Sequence, residues 1–313
     1  MDAISHVRFK YLDALSKTPS LKNVWPMWRP VLEEQLLTHG EAAGLLPMGE
    51  TLHDTFRSTG KGDRNQGELS GGGAGWECLV CWYLNFLLHG SAILVMRTNK
   101  KFVPKVLRDL LCVTIGNNQT NTESDILIFS VPDPLILGRS YPVAGQARQL
   151  QALDDHLRSR LERVRVVNLQ CKTNWNDNAQ IPMLWDNIYN AKANMANVRV
   201  GINGVAPGSL ESFRYAFVTV PTVKVEKLTP NSLAVLRVTN LTGGNYWGLP
   251  TKSSIAQNIS ELVIQQFGDQ LAGGLIRHHE LLQQESRDYV DHFMTLNWPE
   301  DSSEAARTSR LDF

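Results

Sequence analysis

The sequence first suggests chemistry at the end of an apolar stretch, where an amide and an amine stand two positions apart. Residues 163–172 are rich in valine and predict a buried strand. On a strand, the side chains of Gln170 and Lys172 share one face, and those of Leu169 and Cys171 share the other. Burying an amide and an amine without partners is costly. Either the strand emerges into water at Lys172, or its end belongs to a polar site.

Two carboxylates at the start of other apolar elements favour the polar site. Residues 124–131 predict a strand with Asp125 at its start, and residues 75–88 predict an apolar helix with Glu77 in its first turn. The order of a helix glutamate, a strand aspartate and a strand-end lysine resembles the PD-(D/E)XK nuclease superfamily. That superfamily includes most type II restriction endonucleases and several DNA-repair nucleases. Gln170 stands where the family usually has an acid, so this chain has a Gln-x-Lys variant of the motif.

The resemblance implies Mg²⁺-dependent, sequence-specific hydrolysis of phosphodiester bonds in double-stranded DNA, as in a type II restriction endonuclease. The implied catalytic residues are Glu77, Asp125, Gln170 and Lys172. Asp125 and the main-chain carbonyl of Cys171 would hold the Mg²⁺ ion, for which Mn²⁺ can substitute, and Glu77 would help through a water or a second ion. Gln170 would offer only a neutral oxygen, whereas Lys172 would orient the attacking water and stabilise developing charge.

Basic, amide and aromatic side chains outside the motif are the expected DNA contacts. Residues 57–75 contain seven glycines and are expected to form a flexible loop, which is either a plain connector or a phosphate-contacting segment. The basic cluster at 97–108 is either a solvated face or a track along the phosphate backbone. The loop at 240–250 suits base contacts or is a plain surface loop. The expected DNA-binding residues are Arg57, Lys61, Arg64, Lys100, Lys101, Asn174, Asn176, Asn245 and Tyr246.

The pattern of apolar residues gives the order of the elements independently of the resemblance. From residue 76 to residue 220 it predicts a helix, three strands, a helix at about 179–196 and a final strand at 213–220. This order is the αβββαβ core that the resemblance implies. The fold class is therefore expected to be α/β, with a mixed central β-sheet flanked by helices, a helical N-terminal cap and C-terminal helices.

We expect one compact domain that is built from four parts. Within the N-terminal part, Pro26 and Pro30 are expected to separate two helices. Residues 117–124 are expected to form a turn, and residues 134–157 an irregular insertion that ends in a short helix. The four parts are a helical cap with the glycine-rich loop (1–70), a nuclease core (71–221), a recognition and dimerisation region (222–298) and a disordered tail (299–313).

The composition limits the classes of protein that fit. The chain has 313 residues with 31 basic and 31 acidic side chains, and this balance argues against a histone-like coating protein but allows a local basic cleft. No apolar run approaches the roughly eighteen residues of a membrane span, and the N-terminus lacks a signal-peptide layout, so we expect a cytoplasmic protein without a membrane partner. Cys78 and Cys81 lie in an apolar helix and are expected to be buried free thiols rather than zinc ligands.

The resemblance also implies partners, and two other functions stay open. A restriction enzyme is expected to be a homodimer, because palindromic sites are read by symmetric proteins, and a cognate DNA methyltransferase is implied by the same role. One alternative is a structure-specific repair or recombination nuclease. The other is a catalytically inactive DNA-binding protein on a nuclease-like fold, for which Gln170 is the main argument.

Overall fold

The structure is a computed structural model, and it describes residues 2–39, 45–58, 66–121, 124–142, 145–173, 198–220, 231, 244–246, 259–271 and 288–298. The helices in these ranges are α1 (Ala3–Ser16), α2 (Pro19–Lys22), α3 (Trp25–His39), α4 (Leu45–Ser58), α5 (Gln66–Leu87), α6 (Lys105–Leu111), α7 (Pro134–Ser140), α8 (Gln146–Arg158), α9 (Ile259–Phe267) and α10 (Asp288–Thr295). The strands are β1 (Ile93–Arg97), β2 (Cys112–Ile115), β3 (Asn118–Asn121), β4 (Ile126–Ser130), β5 (Arg165–Lys172), β6 (Val198–Val200), β7 (Ser212–Thr219) and β8 (Gly244–Tyr246).

A mixed five-stranded sheet forms the centre of the described structure, with the strand order β1-β4-β5-β7-β8. Strand β4 runs antiparallel to both β1 and β5, whereas β5, β7 and β8 are parallel to one another. Every residue of β4 is buried, as expected for a central strand covered on both faces. A second sheet has the order β3-β2-β6. The structure thus confirms the α/β class with a mixed sheet flanked by helices.

Helix α5 covers one face of the central sheet, and the smaller sheet packs against part of the other. Asn85 of α5 donates to the carbonyl of Val95 at 2.8 Å, which ties this buried helix to β1. Successive residues of β7 point to opposite faces. Ala216 belongs to the core shared with the helices, while Tyr215 packs against Val113 of β2. The core also includes apolar residues of α1 to α4, so the N-terminal helices pack on the same scaffold that carries the motif strands.

The glycine-rich segment is more helical than the sequence predicts. Helix α4 continues to Ser58 and α5 begins at Gln66, so most of residues 57–75 are helical and the flexible-loop prediction is wrong for them. Glycine costs about 1 kcal/mol in a helix, but burial of the adjoining Trp76 and the following apolar turns outweighs this propensity. Glu77 consequently lies in the middle of α5 rather than in its first turn.

Four other local predictions are wrong, two of them only in part. The chain does break between α2 and α3, just before Pro26 in the first turn of α3, but α3 runs through Pro30 instead of breaking there. The helix predicted at the end of residues 134–157 is present as α8, but the part predicted to be irregular also contains a helix, α7. The expected turn at 117–124 is largely strand β3, which forms a hairpin with β2, and the expected loop at 240–250 contains β8. Polar strands such as β3 lack the apolar alternation that marks a strand in sequence.

Other predictions concern thiols, membranes and undescribed segments. The four cysteines are buried and free, as predicted for Cys78 and Cys81. Among the described helices, none combines the length and the apolar character that crossing a bilayer requires. The helix predicted at 179–196 lies outside the described residues.

Candidate active site

Strand directions bring the motif residues to one edge of the central sheet. Because β4 runs antiparallel to both of its neighbours, its first residues lie beside the last residues of β1 and β5. Arg97 ends β1, Asp125 precedes β4, and Cys171 and Lys172 end β5. The amide of Thr98 donates to the carbonyl of Asp125 at 3.1 Å, which fixes the backbone at this edge. Residues distant in sequence thus converge here.

Asp125 is held by the backbone of β5. Its Oδ2 accepts a hydrogen bond from the amide of Cys171 at 2.7 Å, and the described residues provide no hydrogen-bond partner for Oδ1. In a strand, the N–H and C=O groups of one residue point to the same side, so the carbonyl of Cys171 is also directed towards the Asp125 side. Oδ1 of Asp125 and the carbonyl of Cys171 therefore lie at the same edge of the sheet.

The surroundings of Asp125 disfavour its charged form. Burial is the largest cause and, with the nearby negative charge of Glu77, raises the pKa of Asp125 to about 6. The Cys171 amide and the positive charges of Lys172 and Arg97 oppose this rise. A carboxyl group in this state gains from any further positive charge, such as a bound cation.

Glu77 and Asp125 line the same cleft, which has a volume of about 500 Å³. One wall comes from α1, which the sequence indicated only as part of a cap. The full lining is Tyr11, Ala14, Leu15, Thr18, Glu77, Arg97, Thr98, Asn99, Lys100, Phe102, Ser124 and Asp125. We call this the carboxylate cleft. The structure therefore brings together the helix glutamate and the strand aspartate of the motif.

Arg97 is a site residue that the sequence indicated only as the first member of the basic cluster at 97–108. Its Nη2 lies 2.5 Å and its Nε 3.1 Å from Oε2 of Glu77, so the two side chains form an ion pair. Burial alone would lower the pKa of Arg97, but the neighbouring Cys78 and Glu77 outweigh it and raise the pKa. The backbone amide of Arg97 donates to the hydroxyl of Tyr11 at 2.8 Å. Its position at the end of the strand next to Asp125 was the available signal.

Gln170 and Lys172 do not line the carboxylate cleft. Gln170 is 1% exposed, and its side-chain oxygen accepts a hydrogen bond from the hydroxyl of Tyr215 on β7. Lys172 is half-buried, and its charge lowers the pKa of Asp125, which places it within electrostatic reach. The described residues offer its ammonium no hydrogen-bond partner. Of these two strand-end residues, only Lys172 acts on Asp125.

The predicted DNA-contacting residues are spread over several elements. Lys100 and Lys101 are exposed in the turn after β1, and Lys100 lines the carboxylate cleft. Arg57 is exposed in the last turn of α4, and the backbone of Asn245 and Tyr246 forms part of β8 beside β7. The predicted contacts that lie outside the described residues are Lys61, Arg64, Asn174 and Asn176.

The oxygen atoms at the cleft fit a Mg²⁺ ion better than a metal that prefers sulfur or nitrogen. Within the described ranges, no cluster of three or more histidine, cysteine or acidic side chains has the geometry of a metal site. Mg²⁺ keeps several waters and needs only one or two protein carboxylates. Oδ1 of Asp125, the carbonyl of Cys171 and Oε1 of Glu77, which does not contact Arg97, would meet that need.

Similarity to known proteins adds nothing to this geometry. Comparisons of the chain with models of protein families, with curated proteins and with solved structures found no match.

Proposed function

We propose that this chain is a Mg²⁺-dependent nuclease of the type II restriction endonuclease class, which hydrolyses phosphodiester bonds at specific sequences in double-stranded DNA. The observation that carries the proposal is the convergence of Glu77, Asp125 and the end of β5 at one edge of the sheet. The order and directions of β1, β4, β5 and β7 support a restriction-endonuclease-like core.

The proposed roles follow from the position of each group. Asp125 and the carbonyl of Cys171 would hold Mg²⁺, which when bound supplies Lewis-acid chemistry to phosphodiester hydrolysis. Lys172 would orient the attacking water and stabilise charge that develops on the phosphate. Glu77 would act at longer range, because Arg97 already neutralises much of its charge. Gln170 would support the strand end through Tyr215.

A digestion experiment tests the proposal and separates it from the repair alternative. Purified protein is incubated with phage DNA and Mg²⁺, and the ends of all fragments are sequenced. A restriction enzyme yields ends that share one short sequence, and a palindromic site would further support a two-fold dimer with a cognate methyltransferase. Ends that follow nicks, flaps or branches would support a structure-specific nuclease. Intact DNA under Mg²⁺ and Mn²⁺ would refute both nuclease assignments.

A catalytically inactive DNA-binding protein is the second candidate, and two contacts favour it. The Gln170 side chain is engaged by Tyr215, and the Glu77 carboxylate is paired with Arg97. Among the described residues, Asp125 is then the one cleft carboxylate without a cationic partner in contact, so metal affinity would be low. Duplex binding without any cleavage in Mg²⁺ or Mn²⁺ would support this candidate.

A further inference from the structure

A second cleft opens beside the carboxylate cleft and shares part of its wall. It has a volume of about 430 Å³. Thr98, Lys100 and Ser124 line both clefts, so the two clefts are neighbours at the end of β1 and the start of β4. Lys105, Arg108 and Asp109 of α6 line the second cleft beyond this shared wall. We call it the basic cleft.

Ion pairing leaves the basic cleft with uncompensated positive charge. Asp109 is the acidic residue of its lining, and its Oδ2 contacts Nζ of Lys105 at 2.7 Å and Nη2 of Arg158 at 3.3 Å. Arg158 does not line the cleft and also pairs with Asp154 at 3.8 Å. The lining itself therefore has three cations, Lys100, Lys105 and Arg108, against the one carboxylate of Asp109. In the described part of the chain, Lys100 and Arg108 have no ion-pair partner, in contrast to Arg97 in the neighbouring cleft.

Arg108 has an unmet need for a hydrogen-bond acceptor. Its Nε is buried and has no hydrogen-bond partner among the described residues. A buried N–H without an acceptor is destabilising, so a ligand or a side-chain rearrangement that supplies an acceptor is favoured. Phosphate oxygens suit a guanidinium especially well, because its planar array of donors matches their geometry.

We infer that the basic cleft is a phosphate-binding subsite in which Lys100 and Arg108 bind a backbone phosphate next to the bond that is cut at Asp125. The identity of the ligand as a DNA strand rests on the proposed function. A polymer substrate needs neighbouring phosphates to be held while one bond is positioned at the carboxylates. The shared Lys100 lies between the two clefts and would link the two positions.

Binding measurements without metal test the subsite. A short labelled duplex is titrated with the full chain and with Lys100→Gln and Arg108→Gln in EDTA, by fluorescence anisotropy over a range of salt concentrations. Loss of one phosphate contact lowers the slope of log K against log salt by about 0.9, which is about eightfold in affinity near 0.1 M salt. The matched control is Lys22→Gln, because Lys22 is exposed on α2 and lines neither cleft.

The outcomes separate the subsite from its alternatives. The inference predicts a lower slope for both cleft variants and the wild-type slope for Lys22→Gln. Wild-type slopes in the cleft variants, or no duplex binding by the wild type, would overturn it. If Arg108→Gln proves unfolded by circular dichroism, Lys100→Gln decides, since Lys100 is exposed. Displacement of the duplex by inorganic phosphate or a 5′-nucleotide at concentrations comparable to that of the duplex would overturn it in favour of a small phosphate ligand.

The same variants distinguish failure of the subsite from failure of the proposed function. If the protein cuts DNA but both cleft variants have the wild-type slope, the proposed nuclease function is supported and the proposed phosphate subsite is refuted. If the protein binds duplex through Lys100 and Arg108 but never cuts it, the phosphate subsite is supported and the proposed nuclease function is refuted.

Discussion

Asp125→Asn should make the metal-free protein more stable at pH 8, although it should abolish cleavage. Burial and Glu77 raise the pKa of Asp125 from 3.8 to about 6. A pKa shift of about two units corresponds to about 3 kcal/mol. This value is the upper limit of the free energy by which the charged form of Asp125 destabilises the folded state. Asparagine is neutral, and its Oδ1 can still accept the hydrogen bond from the amide of Cys171. We therefore expect the free energy of unfolding to rise by about 1–3 kcal/mol at pH 8.

The effect should depend on pH in one direction only. Between pH 3.8 and about 6, the folded chain holds a proton on Asp125 that the unfolded chain has lost. Wild-type stability contributed by this group therefore falls as pH rises through that window, and the loss persists above it. Near pH 4 both side chains are uncharged in the folded state, so wild type and Asp125→Asn should differ little.

Urea unfolding in EDTA measures the effect, with tryptophan fluorescence as the signal because Trp76 and Trp82 are fully buried. Asp109→Asn is a control for which the expected change in the free energy of unfolding has the opposite sign. Burial would raise the pKa of Asp109, but hydrogen bonds from Lys105, Asn203 and Arg158 lower it, so this variant should lose stability at pH 8. The reasoning is refuted if Asp125→Asn is less stable than wild type at pH 8, or if their difference is the same from pH 4 to pH 8.

Three further predictions concern the chemical step and the wall of the cleft. Lys172→Ala and Lys172→Arg should still retard a cognate duplex in a gel with Ca²⁺ but should not cut it with Mg²⁺, because a compact ammonium acts in the transition state; cutting near the wild-type rate by either would make Lys172 only the end of a strand. Cleavage should vanish in EDTA and return with Mg²⁺ or Mn²⁺, and full activity after exhaustive chelation would contradict the oxygen-ligand site. Tyr11→Phe removes the hydroxyl that accepts the amide of Arg97 and should lower the free energy of unfolding by about 1–3 kcal/mol in urea titrations; unchanged stability would show that this bond is not needed.

The strands of the central sheet could be predicted because they are buried on both faces. Strand β4 is apolar except for Ser130, and β5 carries Val166, Val167 and Leu169 in its middle, and such apolar runs identify strands without tertiary information. The helical state of residues 66–75 could not be predicted in this way. Its glycines favour a loop locally, and only the packing of α5 against the other helices reverses that preference. The hairpin of β2 and β3 likewise depends on pairing rather than on composition.

The carboxylates of the candidate site could be predicted from the sequence, but the side chains that contact the site residues could not. Asp125 stands at the start of an apolar strand, as predicted, and Glu77 lies on the predicted apolar helix, although in its middle rather than in its first turn. The pairing of Arg97 with Glu77 depends on how α5 lies on β1, which periodicity does not specify. The engagement of Gln170 by Tyr215 depends on the parallel register of β5 and β7.

Plasmid cleavage by wild type and Asp125→Asn, measured side by side in saturating Mg²⁺, tests the proposed site most directly. Both proteins are first shown to be folded by circular dichroism, and the initial rate of loss of supercoiled plasmid is then measured. We predict that the wild type cuts and that Asp125→Asn is slower by several orders of magnitude, since the neutral amide would hold Mg²⁺ poorly. Cleavage by Asp125→Asn near the wild-type rate, or no cleavage by the wild type, would contradict the proposal.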